Sequence, residues 1–170
     1  MKALVQRVYW AEVETDDKIV GRIGPGLLVY VAAAPTDCLD DARKLAEKIV
    51  NLRIFRDEQE KMNLTVQDVR GGVLAVSNFT LLADARKGRR PAFDGAAPAE
   101  LAQPLHEAFV AALRELTSPV ECGVFRADMI IRSAAAGPVN VIAEVPPLPD
   151  PPVWSCPKSI RDSTLPGQSP

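Results

Sequence analysis

The chain has 170 residues, the length of one domain, and 47% of them are apolar, enough for one buried core. Its 20 basic and 22 acidic residues give a net charge of −2, which excludes a globally basic nucleic-acid binder, so any phosphate contact has to come from a local cluster. The three cysteines, Cys38, Cys122 and Cys156, are far apart and odd in number, so they read as reduced thiols and not as a metal site or a disulfide framework.

Residues 3–8 read as a strand, residues 11–15 alternate, and Asp16-Asp17 is a turn signal before a strand at 19–23. Gly24-Pro25-Gly26 is a second turn. Residues 27–33 are continuously apolar, as in a strand buried on both faces. Leu39, Ala42, Leu45, Ala46, Ile49 and Leu52 recur at helical spacing, with Thr36 or Asp37 as the cap. Residues 53–55 and 62–64 are short extended pieces, and Gly71-Gly72 turns into a strand at 73–77. Residues 84–98, polar and rich in Gly and Pro, are a loop. A second helix spans about 98–116 on the stripe Leu101, Leu105, Phe109, Leu113 and Leu116; Pro104 inside it marks either the true first turn or a kink. Strand-like runs at 120–125, 129–133 and 139–145 complete a domain of residues 1–145. Eight of the last 25 residues are proline, so 146–170 reads as an extended tail without a core, with Trp154 as its docking candidate. Many short strands with two helices indicate an α+β fold, an antiparallel sheet or open barrel carrying the helices.

The start of the chain, charged at Lys2 and Arg7, is unlike a signal peptide, and no apolar run reaches the length of a membrane span, so the expectation is a cytoplasmic protein without a membrane partner. His106, the one histidine, falls beside the apolar stripe of the second helix and reads as a satisfied or solvent-facing residue. There is no Gly-x-Ser-x-Gly elbow, phosphate-cradling loop or metal-ligand cluster, so no cofactor or metal is expected. Three segments stand out. Ser77-Asn78-Phe79-Thr80-Leu81 closes an apolar strand with polar residues; it is either a satisfied strand end or a site. Gly137-Pro138, after Ala134-Ala135-Ala136, is either an ordinary turn or a shaped one. Arg86-Lys87-Gly88-Arg89-Arg90 is either a solvated loop or a phosphate contact.

Lys2-Ala3-Leu4-Val5-Gln6-Arg7-Val8, Ile23-Gly24-Pro25-Gly26-Leu27-Leu28-Val29, Asn51-Leu52-Arg53-Ile54-Phe55, Lys61-Met62-Asn63-Leu64 and Val76-Ser77-Asn78-Phe79-Thr80-Leu81 follow one another along the chain. After them come Ala83-Asp84, Lys87-Gly88-Arg89-Arg90-Pro91, Phe125-Arg126-Ala127-Asp128-Met129 and Gly137-Pro138-Val139. In order and in kind these blocks resemble the D-aminoacyl-tRNA deacylase family over residues 1–145. The resemblance implies a homodimer of open-barrel subunits with two active sites at the interface. Each site combines a Ser-Gln-x-x-Thr segment of one subunit with an Asn-x-Gly-Pro-x-Thr segment crossing from the other, whose Gly-Pro bond is cis. The implied reaction is hydrolysis of the ester joining a D-amino acid, or glycine, to the tRNA 3′-terminal adenosine.

By that resemblance Ser77, Asn78, Phe79 and Thr80 form the catalytic segment, with the Phe79 and Thr80 N–H groups facing the developing oxyanion. Gly137 and Pro138 would block an L side chain, with Asn140 beside them, and the Ala96 carbonyl would hold the substrate ammonium. Arg86, Lys87, Arg89 and Arg90 would meet the acceptor stem of the aminoacyl-tRNA partner. The chain departs from the pattern at five places. Asn78 replaces Gln, Ala135 replaces Asn, Asn140 replaces Thr, Arg126 stands at a usually small position and Glu60 at a usual turn Gly. If the mechanism rests on backbone groups, activity survives the Asn78 change. The altered motifs, above all Ala135, which cannot supply the side-chain support of the family's Asn, open two alternatives: relaxed or shifted selectivity that includes L-alanyl-tRNA, or a non-catalytic nucleic-acid-binding homologue.

Overall fold

The computed structural model of the chain describes residues 1–146; the rest of the proline-rich tail, Trp154 included, lies outside the described residues. Where the sequence suggests two strands, one continuous strand runs, β1 (Lys2–Thr15). Ala3, Val5, Ala11 and Val13 point inward at a spacing of two, and a register shift around residues 7–9 keeps Val8 inside while Tyr9 and Trp10 turn outward. Asp16 and Asp17 both take a left-handed backbone, φ 49° and 59°, as a two-residue hairpin turn requires. They lead into β2 (Lys18–Ile23), which pairs with the second half of β1, and β3 (Gly26–Ala32) pairs with the first half. Gly26 cannot carry a side chain: a Cβ there would lie 2.0 Å from the Gly72 carbonyl oxygen.

Helix α1 (Leu39–Val50) starts one residue later than expected, at Cys38, whose N–H donates to the Asp41 carboxylate at 2.9 Å. Asp37 has another task, because its buried carboxylate accepts from the Met1 ammonium and from the Ala34 N–H, each at 2.6 Å. A small two-stranded sheet follows, β4 (Phe55–Arg56) and β5 (Met62–Leu64). Then come β6 (Gly72–Ser77), a 3-10 turn at Phe79–Leu82, α2 (Ala99–Leu116), β7 (Val120–Cys122) and β8 (Ile130–Glu144). Among the described residues no helix is long and apolar enough to cross a membrane.

Three expectations change. The sheet is antiparallel around β1, but β3, β6 and β7 run parallel to one another. The connections between them carry α1 and α2, and such a crossover returns the chain to the end from which the previous strand started. Second, the last two strand-like runs are one strand, β8, paired with β1 along its length. Gln6 faces Asn140 and Val8 faces Ala135, so residues 136–139 bulge out opposite Arg7 alone. Third, α2 passes through Pro104 without stopping, with the proline on its exposed side. Its buried stripe runs through Leu105, His106, Phe109, Val110 and Leu113, while Leu101 is exposed.

The fold is α+β, an open barrel with two helices on one face, and alternation along β3 and β6 explains its two core clusters. Leu27, Val29 and Val31 of β3, with Val73 and Ala75 of β6, meet Leu45, Ile49, Phe109 and Leu113 of the helices. Leu28 of β3 and Leu74 and Val76 of β6 face the barrel interior with Val8, Ala11, Val13 and Ile23. Each of these large side chains stabilises the fold by about 1.5–3 kcal/mol through burial. β2 closes over that interior: a Cβ on Gly21 would lie 3.1 Å from the Leu74 side chain and 3.2 Å from the Cys122 carbonyl.

Candidate active site

The carboxyl ends of the parallel strands β3 and β6 open into a cavity of about 440 Å³. Crevices at strand carboxyl ends are where ligands enter sheets of this kind. Val31 and Ala32 line it from the end of β3, with Ala33 just after it, and Ser77, Asn78 and Phe79 from the end of β6 and the turn that follows. Ala99, Ala102 and His106 come from α2, Phe125, Arg126, Ala127 and Met129 from the segment before β8, and Met1 completes the wall.

Asn78 ends β6 and caps the 3-10 turn. Its N–H donates to the Val31 carbonyl at 2.8 Å, which ties the turn to the end of β3. Its side-chain oxygen accepts from the Thr80 N–H at 3.2 Å and from the Thr80 hydroxyl. The Thr80 N–H is therefore committed within the turn, contrary to the expectation that it faces a substrate oxyanion. The Phe79 N–H, at the first position of the turn, has no acceptor inside it. Phe79 is 58% exposed, and its ring meets Phe93 edge to face at 5.2 Å. That contact brings the loop after the turn alongside the cavity.

In that loop, Asp84 and Ala92 exchange both backbone hydrogen bonds, 2.7 and 2.9 Å, so Arg86, Lys87, Arg89 and Arg90 sit at the tip of a closed excursion. Arg86 is clamped to Asp84 through two side-chain bonds of 2.9 and 2.7 Å, which hold the Asp84 carboxyl well below the usual carboxylate range. Among the described residues Lys87, Arg89 and Arg90 have no carboxylate partner. Ala96 lies one residue before the cavity wall: it is Ala97 that lines the cavity, its N–H donating to the Ala33 carbonyl at 2.8 Å.

Gly137 does not reach this cavity within one chain. It lines a second one of about 490 Å³, with Arg7, Arg56, Glu60 and Ala136 among its walls. The Gly137–Pro138 peptide is cis. Gly137 has φ 131°, and a Cβ there would lie 2.8 Å from the Val139 side chain and 3.1 Å from the Arg7 guanidinium, so only glycine fits. Asn140 does not turn toward Pro138: its side-chain oxygen accepts from Gln6 across the ladder at 3.0 Å. Ala135 pairs with Val8. Support for the bulge comes from Arg7, 8% exposed, which donates through Nε to the Ala136 carbonyl at 3.1 Å and through Nη1 to the Ile54 carbonyl at 2.6 Å. Arg7 was readable as a charged residue at an inward position of an alternating strand.

His106 is the other residue whose role the sequence hid. It is buried, not satisfied and not solvent-facing: its Nδ1 has no hydrogen-bond partner, and the Phe125 ring lies 6.0 Å away. Burial pushes its pKa below the usual imidazole range, against a weaker upward pull from Glu107. Its signal in the sequence was its place one residue after Leu105 on a stripe that continues through Phe109 and Val110. Arg126 brings a cation to the cavity on a left-handed backbone, φ 62°.

A family model described as D-Tyr-tRNA(Tyr) deacylase matches residues 4–144. A D-aminoacyl-tRNA deacylase of Anaeromyxobacter dehalogenans (strain 2CP-C) is 52% identical over 144 residues, covering 85% of this chain and 97% of that protein. One from Paracoccus denitrificans (strain Pd 1222) is 52% identical over 141 residues, 83% of this chain and 95% of that protein. A solved structure described as c-Myc DNA Unwinding Element Binding Protein has a TM-score of 0.82 at 35% identity, covering 86% of this chain and all (100%) of that one. A second, a probable eukaryotic D-amino acid tRNA deacylase, shares the fold at a TM-score of 0.73 and 17% identity, over 84% of this chain and 97% of that one. With the family match spanning the barrel, both helices and the whole Ser77–Leu82 turn, the chain belongs to the D-Tyr-tRNA(Tyr) deacylase family.

Proposed function

We propose that the chain hydrolyses the ester joining a D-amino acid, or glycine, to the 3′-terminal adenosine of tRNA, as a proofreading step in translation. The observation that carries this reading is the turn after β6. It places an N–H without an acceptor in its own turn, that of Phe79, in a cavity wall where Ser77 and His106 both occur but share no hydrogen bond, so no activated nucleophile is assembled among the described residues. Such a site suits an ester that is already activated. Water adds to the carbonyl carbon, the bond to the ribose 3′-oxygen breaks, and that oxygen takes a proton; the 2′-hydroxyl beside it assists. The protein positions the ester and stabilises the oxyanion through the Phe79 N–H. Ser77 anchors the turn, and Asn78 and Thr80 hold its shape. The Ala96 carbonyl receives the substrate ammonium.

The active unit in this reading is a homodimer of the 1–145 domain, working in the cytoplasm. Gly137 and Pro138 filter chirality in the partner's cavity, because within one chain neither lines the first cavity and Gly137 borders a separate one. The dimer is supported by the exposed apolar side chains of Tyr9, Trp10, Ile130 and Ile142, spread along the paired strands β1 and β8. Lys87, Arg89 and Arg90 meet the acceptor-stem phosphates, while Arg86 shapes the loop through Asp84.

Incubation with D-Tyr-tRNA, glycyl-tRNA and L-alanyl-tRNA should show ester loss from the first two alone. Loss from L-alanyl-tRNA would remove the filter from this reading, and loss from none would remove the enzyme. Phe79→Pro tests the oxyanion donor, since proline is accepted at the first position of a helical turn but has no N–H. Compared with Phe79→Ala, which loses only the ring, Phe79→Pro should lower kcat by about 10²–10³. Equal rates for the two variants would place the donor elsewhere.

A further inference from the structure

Several polar groups around the first cavity are committed within the fold. The Met1 ammonium is held by Asp37 and the Val145 carbonyl, and the Thr80 N–H by Asn78. Among the described residues, His106 Nδ1 is the one buried side-chain nitrogen or oxygen with no hydrogen-bond partner. Its residue lines the cavity and is only 8% exposed. A buried polar atom without a partner is costly, and α2 has no structural use for it, because neighbouring positions of the same stripe carry Leu105, Phe109 and Val110. Ala99, Ala102, Phe125 and Met129 around it offer no side-chain hydrogen bond to a ligand.

Resting on the deacylase reading above, we infer that His106 is a substrate-binding residue whose imidazole hydrogen-bonds a polar group of the tRNA 3′-terminal nucleoside as it enters this cavity. The neutral ring has one donor and one acceptor, and it stays neutral near pH 7 because burial depresses its pKa. A charge on it would sit in the same cavity as Arg126. The imidazole contributes to capturing the substrate and not to the chemical step, since the reacting ester belongs at the turn of Phe79.

The test is steady-state hydrolysis of D-Tyr-tRNA by the full chain and by His106→Phe and His106→Gln. His106→Phe should raise KM about tenfold, equivalent to about 1.4 kcal/mol, with kcat within about twofold of the parent. His106→Gln, which keeps a hydrogen-bonding group, should recover most of that loss. The melting temperature of His106→Phe should equal or exceed the parent's, because an apolar ring of similar shape removes an unpaired polar atom. That opposition of weaker capture and undiminished stability separates recognition from packing. An active parent enzyme with an unchanged KM in His106→Phe overturns the assignment and leaves the deacylase reading standing. So does a fall in kcat and melting temperature together. No hydrolysis of D-Tyr-tRNA by the parent chain overturns both.

Discussion

His106 couples the stability of the barrel to pH. Burial holds its folded-state pKa below the unfolded value of about 6.5, so as pH falls the unfolded chain takes up the proton first. The contribution of the neutral imidazole is present above about pH 6.5 and is lost as pH falls through the depressed folded value. His106→Phe should therefore be less sensitive to acid than the parent. Urea unfolding at pH 7.5 and at pH 5 measures this, and an equal loss of stability in both proteins would show that the imidazole is solvated on the folded side. In the sequence, this histidine had the neighbours of a core residue and the chemistry of a surface one. Which of the two prevailed depended on the segment before β8, through Phe125, closing against α2.

Among the elements, the bulge of β8 depends most on a partner distant in sequence. Four residues, 136–139, stand opposite Arg7 alone, and the Arg7 guanidinium ties the Ala136 carbonyl to that of Ile54. The departures at Ala135 and Asn140 look serious when the bulge is read in isolation, yet its Ala136 carbonyl is held from β1, by Arg7. Arg7→Met keeps an apolar stem and removes the donors, leaving two buried carbonyls unpaired at about 1–3 kcal/mol each. A loss of about 2–4 kcal/mol in chemical unfolding is expected. A change below about 0.5 kcal/mol, the scale of an unremarkable surface substitution, would mean that water replaces the guanidinium. The turn between β4 and β5 has a similar departure, since Glu60 takes φ 62° where a glycine would be relaxed. There the Asp57 carboxylate accepts the N–H groups of Gln59 and Lys61 at 2.9 and 3.0 Å and holds the loop closed, and those bonds lower its pKa.

For the whole molecule, the question is how a chain of net charge −2 engages a polyanion. Lys87, Arg89 and Arg90 are concentrated at the tip of a loop whose base packs, through Phe93, against the site residue Phe79. Charge placed this way attracts phosphate locally without making the whole surface basic. Replacing Arg89 and Arg90 by alanine should weaken tRNA binding and reduce the log–log salt slope by about one unit per residue. Binding titrations from low to moderate salt measure it, and an unaltered slope would remove the loop from the interface.

By itself the sequence determined the local elements, because they follow from short-range pattern. The continuous apolar run of β3 meant burial on two faces, Asp16-Asp17 meant a hairpin, and the Ser77–Leu81 and Gly137-Pro138 segments were visible as departures from plain patterning. It could not show that β3, β6 and β7 are parallel, since the crossover that sets strand direction is a matter of where helices pack. Nor could it show that Asn78 occupies the Thr80 N–H, that Asp37 holds Met1 instead of capping α1, that Arg7 braces the bulge of β8, or that His106 loses its water. Each of these depends on which polar group is left with which partner once the chain has closed, and only the tertiary structure decides that.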